Sequence, residues 1–370
     1  MRFIKRQFRR ITQEVFTVPG RTIALIFLIC LFFIPLAISD PYALKIFIFM
    51  NIFCIFAASW NVLGGFTGQF CMGQGAFFAV AAYTSAILNL KLGLPIWICI
   101  PGGALMSILA GLLIAVPSLR LRGVYFSLVS LAYPIILIGI VFAFSDVTGG
   151  ETGISGIQPI SRNPVIVYYI TLVVMLLSIV AMWLLTHAKS KVFRLGIVLR
   201  AIQEDEISAR CVGVNTIKYK LLAFGISAFF AGLAGGLYVH VLRIASPAML
   251  DLIFSFNPII WTVFGGMGTI AGSVVGVYIL YPVMELLRFI PEVRMLIYAA
   301  IIIAVILLMP EGLVYWVRDK LDDECPRCKV INSFLRRECR ACGAPLRANR
   351  KKQSDQAQTM DSSYGKEIVR

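Results

Sequence analysis

The sequence predicts an all-α polytopic membrane protein of eight to ten transmembrane helices, broken by glycine in two places and followed by a small cysteine-bearing tail. Three observations predict it. Hydrophobic residues fill 59% of the 370 positions and charged residues only 14%, where soluble domains carry about 25% charged. Mean hydropathy is +0.85. Apolar runs near the roughly 20 residues that cross a bilayer recur along the chain, separated by short polar joints.

The elements follow in order. Residues 1–21, beginning MRFIKRQFRR, are basic and precede an apolar run. "FFIPLAISDP" offers no clear small-x-small cleavage site and a second apolar run follows at once, so the first run is read as an uncleaved span rather than a leader. The spans fall near 22–39, 43–64, 71–90, 95–117, 124–145, 165–187, 219–242, 253–265, 269–287 and 295–309, the eighth being short for a full crossing. With ten spans and the N-terminus inside, 28 of the 34 Lys and Arg residues lie inside and six outside, as the positive-inside rule requires. Both termini are then cytoplasmic. The net charge of +15 is topological, meets anionic lipid, and calls for no nucleic acid.

Two stretches interrupt the spans with glycine. One, "GGFTGQFCMGQGAFF", holds Gly64, Gly65, Gly68, Gly73 and Gly75. The other, "FGGMGTIAGSVVG", holds Gly265, Gly266, Gly268, Gly272 and Gly276. Their lead-ins, "NVLGG" and "TVFGG", hint at an internal repeat. Irregular backbone inside a membrane survives only within protein or beside water, so these are candidates for a translocation path. Tight helix packing and turns explain the same glycines equally well. The loop at 145–163, "SDVTGGETGISGIQPISRN", suits an external partner or a solvated connector.

Several function classes are absent. No G-x-x-x-x-G-K-[ST] phosphate loop occurs, so the chain does not hydrolyse ATP by that route. His187 and His240 have no acid–nucleophile companions and are assigned to the membrane interface. No span carries a chain of buried acids, and Glu285 and Arg288 pair at i, i+3 near a boundary. Cys30, Cys54, Cys71 and Cys99 lie in or beside spans and read as packing residues; Cys211 reads as incidental.

The longest acidic run before the tail, Glu204, Asp205 and Glu206, stands in "RAIQEDEISARCVGVN". Gly196 precedes it and Gly213 follows it, which suits one short helix. Leu195, Leu199, Ile202, Ala209 and Val212 give that helix an apolar stripe. Glu206 and Arg210 sit at i, i+4 in the favourable order. Anionic lipid would repel three acids, so a protein partner is the better surface for this helix.

The segment "FRLGIVLRAIQEDEISARCVGVNTIKYKLLAFGISAFFAGLAGGLYVH" resembles the coupling-loop region of branched-chain amino-acid ABC transporter permeases. "GGFTGQFCMGQGAFFAVAAYTSAIL", "LRLRGVYFSLVSLA", "TGGETGISGI" and "PEGL" resemble other landmarks of that family in matching order, over roughly residues 40–318. The resemblance implies a plasma-membrane permease working with a second permease subunit, two cytosolic ATPase subunits and an external solute-binding protein. It implies that ATP enters only through partners, and that Arg200, Ala201, Glu204, Asp205, Glu206, Ala209 and Gly213 belong to the ATPase-coupling helix. Branched-chain or related amino acids are the implied cargo; urea or a small amide would fit the same scaffold. A self-contained channel or secondary carrier is the alternative class, and it leaves the acidic helix without a role.

The tail brings a separate motif. Cys325 and Cys328 form one C-x-x-C, and Cys339 and Cys342 form another ten residues on. Four thiolates on two such hooks suit one tetrahedral Zn²⁺, and the cytosol disfavours disulfides. Pro326 and Gly343 suit the turns. The spacing, with Asn332 and Arg336 between the hooks, resembles zinc ribbons and the Ran-binding-protein type of zinc finger. Asp323 and Glu324 stand where that finger has an aromatic residue, so its RNA and ubiquitin recognition is not implied. The expected organisation is a basic N-terminus at 1–21, a permease domain at 22–318, a zinc-binding module at 319–347 and a polar disordered end at 348–370.

Overall fold

The structure is a computed structural model. It describes residues 40–118, 123–186, 195–290, 312–325 and 331–333, with shorter pieces at 27–36, 296–307 and 327–344. The basic segment 1–21, the Arg120 and Arg122 loop, His187, the end 348–370, Pro326, Arg336 and Gly343 lie outside the described residues. The chain divides into two compact units. One is residues 38–314; the other combines 1–37 with 315–370.

Among the described residues of the larger unit six helices are long and apolar enough to span a membrane: α1 (Pro41–Thr67), α2 (Gln74–Leu92), α3 (Ile96–Ser118), α4 (Val124–Ala143), α5 (Pro164–Thr186) and, after two short helices α6 (Leu195–Glu204) and α7 (Glu206–Cys211), α8 (Thr216–Leu242). They match the expected spans to within a few residues. The starts and stops have local causes. Asp40 caps α1 by accepting the Tyr42 N–H, Pro41 occupies the first helical turn, and Gly68 ends the helix in the left-handed region at φ 68°. Asn215 caps α8 by accepting the Lys218 N–H.

Helix α1 is the centre of the bundle: 83% of its apolar window is buried, against 28% for α4. A helix apolar on all sides belongs inside, surrounded by others. Small residues let α2, α3 and α8 approach closely, as membrane helices without a hydrophobic drive require. Ser107 of α3 donates to the Phe77 or the Ala228 carbonyl, on α2 and α8. Gly235 of α8 lies against the Phe78 backbone and Gly103 of α3 against Ala81. Cys54, Cys71 and Cys99 are buried as expected, whereas Cys30 is exposed.

The segments expected as two separate spans, 253–265 (short for a full crossing) and 269–287, form a bent pair. They are α9 (Leu252–Gly265, 14 residues) and α10 (Ile270–Leu286, 17 residues), bent by 109° at a four-residue break. Neither half reaches 18 residues. Gly266 at φ 119° and Gly268 at φ 75° make the bend possible. Helix α10 returns antiparallel to α1, because Asn61 near one end of α1 contacts Thr269 and Tyr42 at the other end donates to Glu285. Glu285 also accepts from Arg288 at 2.9 Å, the predicted pairing. The expected spans 22–39 and 295–309 are helical at residues 29–36 and at the described positions from 296 to 307.

At the Tyr42 end, the 145–163 loop is tied down rather than free. Its strand β1 (Ile154–Ser155) pairs antiparallel with β2 (Ile244–Ala245), placing Ile154 opposite Ala245. His240 is fully buried near the end of α8. Its Nδ1 lies 2.8 Å from the Gln158 carbonyl and its Nε2 3.0 Å from the Ser85 hydroxyl. The carbonyl only accepts, so Nδ1 donates and Nε2 receives the serine proton. The histidine thus fastens this loop to α8 and α2.

In the smaller unit, α11 (Leu313–Leu321) leads into a hairpin of β3 (Asp322–Glu324) and β4 (Ile331–Ser333), with Asp323 opposite Asn332.

Candidate docking segment, glycine bend and cysteine site

The acidic segment folds as two helices rather than one. Asp205 breaks it, with an extended backbone at φ −153°. Its Oδ1 accepts from the Ile207 and Ser208 N–H groups and its Oδ2 from the Ser208 hydroxyl. Asp205 is therefore the N-cap of α7, a role its position inside a uniform acidic run concealed. These hydrogen bonds, the Ser208 hydroxyl foremost, hold its pKa below the usual carboxylate value.

Each acid has a different task. Glu206 is a latch: it pairs with Arg210, with Lys220 of α8 at 2.7 Å, and with the Thr216 hydroxyl. Partial burial pushes its carboxyl up, but the Lys220 and Arg210 charges and hydrogen bonds outweigh that, and the net shift is downward. Glu204 is exposed and makes no hydrogen bond among the described residues. Gly213, at φ 88° in open space, turns the chain toward α8, and its N–H meets the Arg210 carbonyl at 2.9 Å.

The predicted stripe holds for Leu195, Leu199, Ile202 and Ala209, all buried. Val212 departs from it. It is 85% exposed, because α7 starts a new helical phase after Asp205. Ile207 and Ile197 are exposed as well, at 62% and 51%. Ile197, Ala201, Glu204, Ile207 and Val212 are thus among the outward residues of the pair. Arg200, by contrast, folds back over the Phe66 ring at 5.5 Å. Gln203 touches the position of Gly68. The acidic segment sits on the last turn of α1.

Just inside that turn the two glycine stretches meet. Asn61 is fully buried in α1. Its Nδ2 donates to the Thr269 carbonyl (2.8 Å) and the Ser273 hydroxyl (2.9 Å), and its Oδ1 accepts the Gly268 N–H (2.9 Å). Thr262 joins the same cluster, donating to the Ala57 carbonyl at 3.1 Å or toward Ser273 Oγ at 3.4 Å. A side chain at Gly65 would displace the Asn61 carboxamide and stand 2.7 Å from the Gly268 nitrogen. The matching lead-ins "NVLGG" and "TVFGG" thus contribute Asn61 and Thr262 to one polar knot.

The remaining glycines are close contacts too. The Trp60 ring covers Gly64, with its Nε1 donating to the Cys71 carbonyl at 2.7 Å. Gly73 faces the Ser130 carbonyl, Gly75 the Ser255 hydroxyl, and Gly265 the Gly272 backbone. Gly312, from the "PEGL" segment, rests against Gly266. Packing accounts for every one of these positions. Asn61, Thr262 and Ser273 escaped the sequence reading; the available clue was a polar side chain inside an apolar span.

In the smaller unit the four tail cysteines converge. Their sulfurs all lie within 4.8 Å of one another. Cys325 Sγ is 3.5 Å from Cys342 Sγ, and Cys328 Sγ is 3.4 Å from Cys339 Sγ, so no disulfide joins them. The first hook occupies the hairpin loop between β3 and β4. Backbone N–H groups of Cys328 and Arg327 lower the Cys325 pKa, favouring the thiolate a metal takes. Four sulfurs about a metal at roughly 2.3 Å would be spaced by about 3.8 Å, so this quartet can hold an ion with small adjustments.

Comparison with known proteins places the larger unit. Residues 42–306 match the family described as branched-chain amino acid transport system / permease component. The chain is 31% identical over 298 residues to the high-affinity branched-chain amino acid transport system permease protein LivM of Salmonella typhimurium, covering 73% of this chain and 69% of that protein. The Escherichia coli LivM is likewise 31% identical, over 300 residues. A probable branched-chain amino acid transport permease protein LivH of Methanocaldococcus jannaschii is 26% identical over 219 residues, covering 56% of this chain and 68% of that one. No solved structure matches.

Proposed function

The chain belongs to the branched-chain amino acid transport permease family, and from that premise we propose that it is the membrane subunit of an importer that moves branched-chain or related amino acids, driven by ATP hydrolysed in separate subunits. Its partners are a second permease subunit, two cytosolic ATPase subunits and an external solute-binding protein. It sits in a bacterial or archaeal plasma membrane with both termini cytoplasmic.

One observation carries this reading. The α6–α7 pair is anchored by its buried stripe to α1 and by Glu206 to α8, while Glu204, Ala201, Ile207 and Val212 face outward. Apolar and acidic groups held rigidly outward suit a protein groove with basic rims better than an anionic membrane. We assign Arg200, Asp205, Glu206, Ala209 and Gly213 to positioning this pair and Glu204 to the contact. The glycine bend at Gly265, Gly266 and Gly268, met by Gly65 near the end of α1, borders the path together with Gly64, Gly68 and the Gly73–Gly75 step. The test is uptake of radiolabelled leucine into vesicles containing the whole complex with ATP inside. Uptake should vanish when the ATPase subunits are omitted; uptake that persists without them refutes the reading.

The tail adds a zinc module. Zinc fits because all four donors are cysteine sulfurs within 4.8 Å of one another, the soft set it prefers once they are deprotonated. In so short a segment the metal would supply much of the module's folding energy. The module is a regulatory or docking appendage beyond the residues that match the family. Metal analysis of the purified full chain should give one zinc per chain, lost in the C325S/C342S double variant.

A further inference from the structure

Asn61 is fully buried, and all three of its hydrogen bonds go to one short piece of chain, Gly268 to Ser273. That piece begins within the bend between α9 and α10, where Gly266 and Gly268 have positive φ, 119° and 75°. Backbone of that kind is where a bent pair absorbs movement. Little more than one turn along α1 from Asn61, Phe66 lies under the Arg200 guanidinium and Gly68 under Gln203, both on the docking helix α6. Gly65 lies between, and its missing side chain is what allows the carboxamide and the Gly268 nitrogen to meet. The last turns of α1 therefore touch the docking helix on one side and the bend on the other.

We propose that Asn61 is a positioning residue for transport: it clamps the α9–α10 bend to the end of α1, so that displacement of the docking pair reaches the bend. The proposal rests on the docking role assigned to α6–α7. Several features separate this knot from an ordinary buried polar contact. Two of its three bonds go to backbone groups of the break itself, the Gly268 N–H and the Thr269 carbonyl, which also accepts the Gly272 N–H at 3.1 Å, and the third goes to Ser273 in the first turn of α10. A second contact, Ser107 of α3, is as deeply buried and reaches the Phe77 carbonyl at 2.9 Å or the Ala228 carbonyl at 2.8 Å, but it links straight helices away from the bend. It supplies the internal comparison.

The experiment uses the complete complex in vesicles and measures leucine taken up per ATP hydrolysed. In the wild type, loss of uptake on omitting the ATPases checks the docking reading independently of the Asn61 clamp. Asn61→Ala should assemble and keep at least half of the wild-type ATP hydrolysis while uptake per ATP falls tenfold or more. Asn61→Asp, isosteric and still able to accept the Gly268 N–H, should fall between the two. Ser107→Ala should lower thermal stability and reduce uptake and hydrolysis in proportion, leaving their ratio within twofold of the wild type. The proposal is overturned if Asn61→Ala keeps the wild-type ratio within twofold, or if Ser107→Ala lowers the ratio as much as Asn61→Ala does. Should Asn61→Ala fail to assemble, Asn61→Asp decides: a wild-type ratio in that variant overturns it equally.

Discussion

Gly276→Ala should open the seam between α9 and α10. Gly272 and Gly276 form a small-xxx-small pair on α10, and across it lie Trp261 and Gly265 of α9. A Cβ at position 276 would fall on the Trp261 carbonyl, 2.8 Å from its carbon and 3.3 Å from the Gly265 nitrogen. Non-bonded carbons rest at about 3.5–4.0 Å, so the two backbones must part by roughly 1 Å. The obstacle is backbone, which cannot swing aside as a long side chain would. Overpacking of this kind costs about 1–3 kcal/mol. For a chain of this size that is a fall of about 1–2 °C in Tm per kcal/mol. Gly139→Ala, in α4, is the control: nothing lies within 4 Å of the added methyl, and alanine is the better helix former. Thermal melts of both variants in detergent, followed by tryptophan fluorescence, make the comparison, and Trp261 reports on the seam directly. A Gly276→Ala melt within about one degree of wild type, or equal losses in both variants, would refute the close approach and with it the packed geometry of the bend.

Glu206→Gln should loosen the docking pair, raising hydrogen exchange across residues 206–216 while the six spanning helices keep their protection. The wild-type latch should also weaken with acid. Glu206 and Asp205 have folded pKa values below their ordinary ones, so their contribution is complete above the ordinary carboxylate pKa and is lost as pH falls through the folded value. Exchange corrected for intrinsic rates should be flat from neutrality to about pH 5 and rise below it, and Glu206→Gln should remove most of that rise. Glu204→Lys should leave melting within about 0.5 kcal/mol of wild type, since the residue is exposed and unbonded, yet reduce uptake in the full complex. Stripping metal from the full chain with a chelator should expose four titratable thiols in the tail without moving the melt of the larger unit; unchanged thiol counts would speak against a bound ion.

Much of the membrane architecture was legible because a span must satisfy two simple demands at once, length and apolarity. The bounds of α1, α2, α3, α4, α5 and α8 came within a few residues for that reason. The cysteine quartet was legible because the spacing of two hooks carries its geometry with it. Less could be read wherever a residue's role depends on what approaches it. Glu204, Asp205 and Glu206 are one acidic run in the sequence, but a solvent-facing charge, a helix cap and an ion-pair latch in the fold. The difference arises only because Lys220 and Thr216 come round to meet Glu206. Val212 fits the stripe of one continuous helix and leaves it once Asp205 restarts the phase.

The sequence by itself determined that this chain is a bundle of membrane helices, which segments form most of them, that these 370 residues hold no phosphate-loop motif, and that four thiols gather in the tail. Those properties follow from composition, period and local spacing, which need no knowledge of neighbours. Only the tertiary structure decided that 253–265 and 269–287 are halves of a bent pair, that His240 is a buried fastener, and that Asn61 and Thr262 share one knot with Ser273. Those are long-range facts. The glycines at 65 and 268 are about 200 residues apart, and nothing local says that a missing Cβ at one makes room for the backbone of the other. Packing in lipid rewards close approach rather than apolarity alone, so the partner of each small residue is settled only when the helices meet.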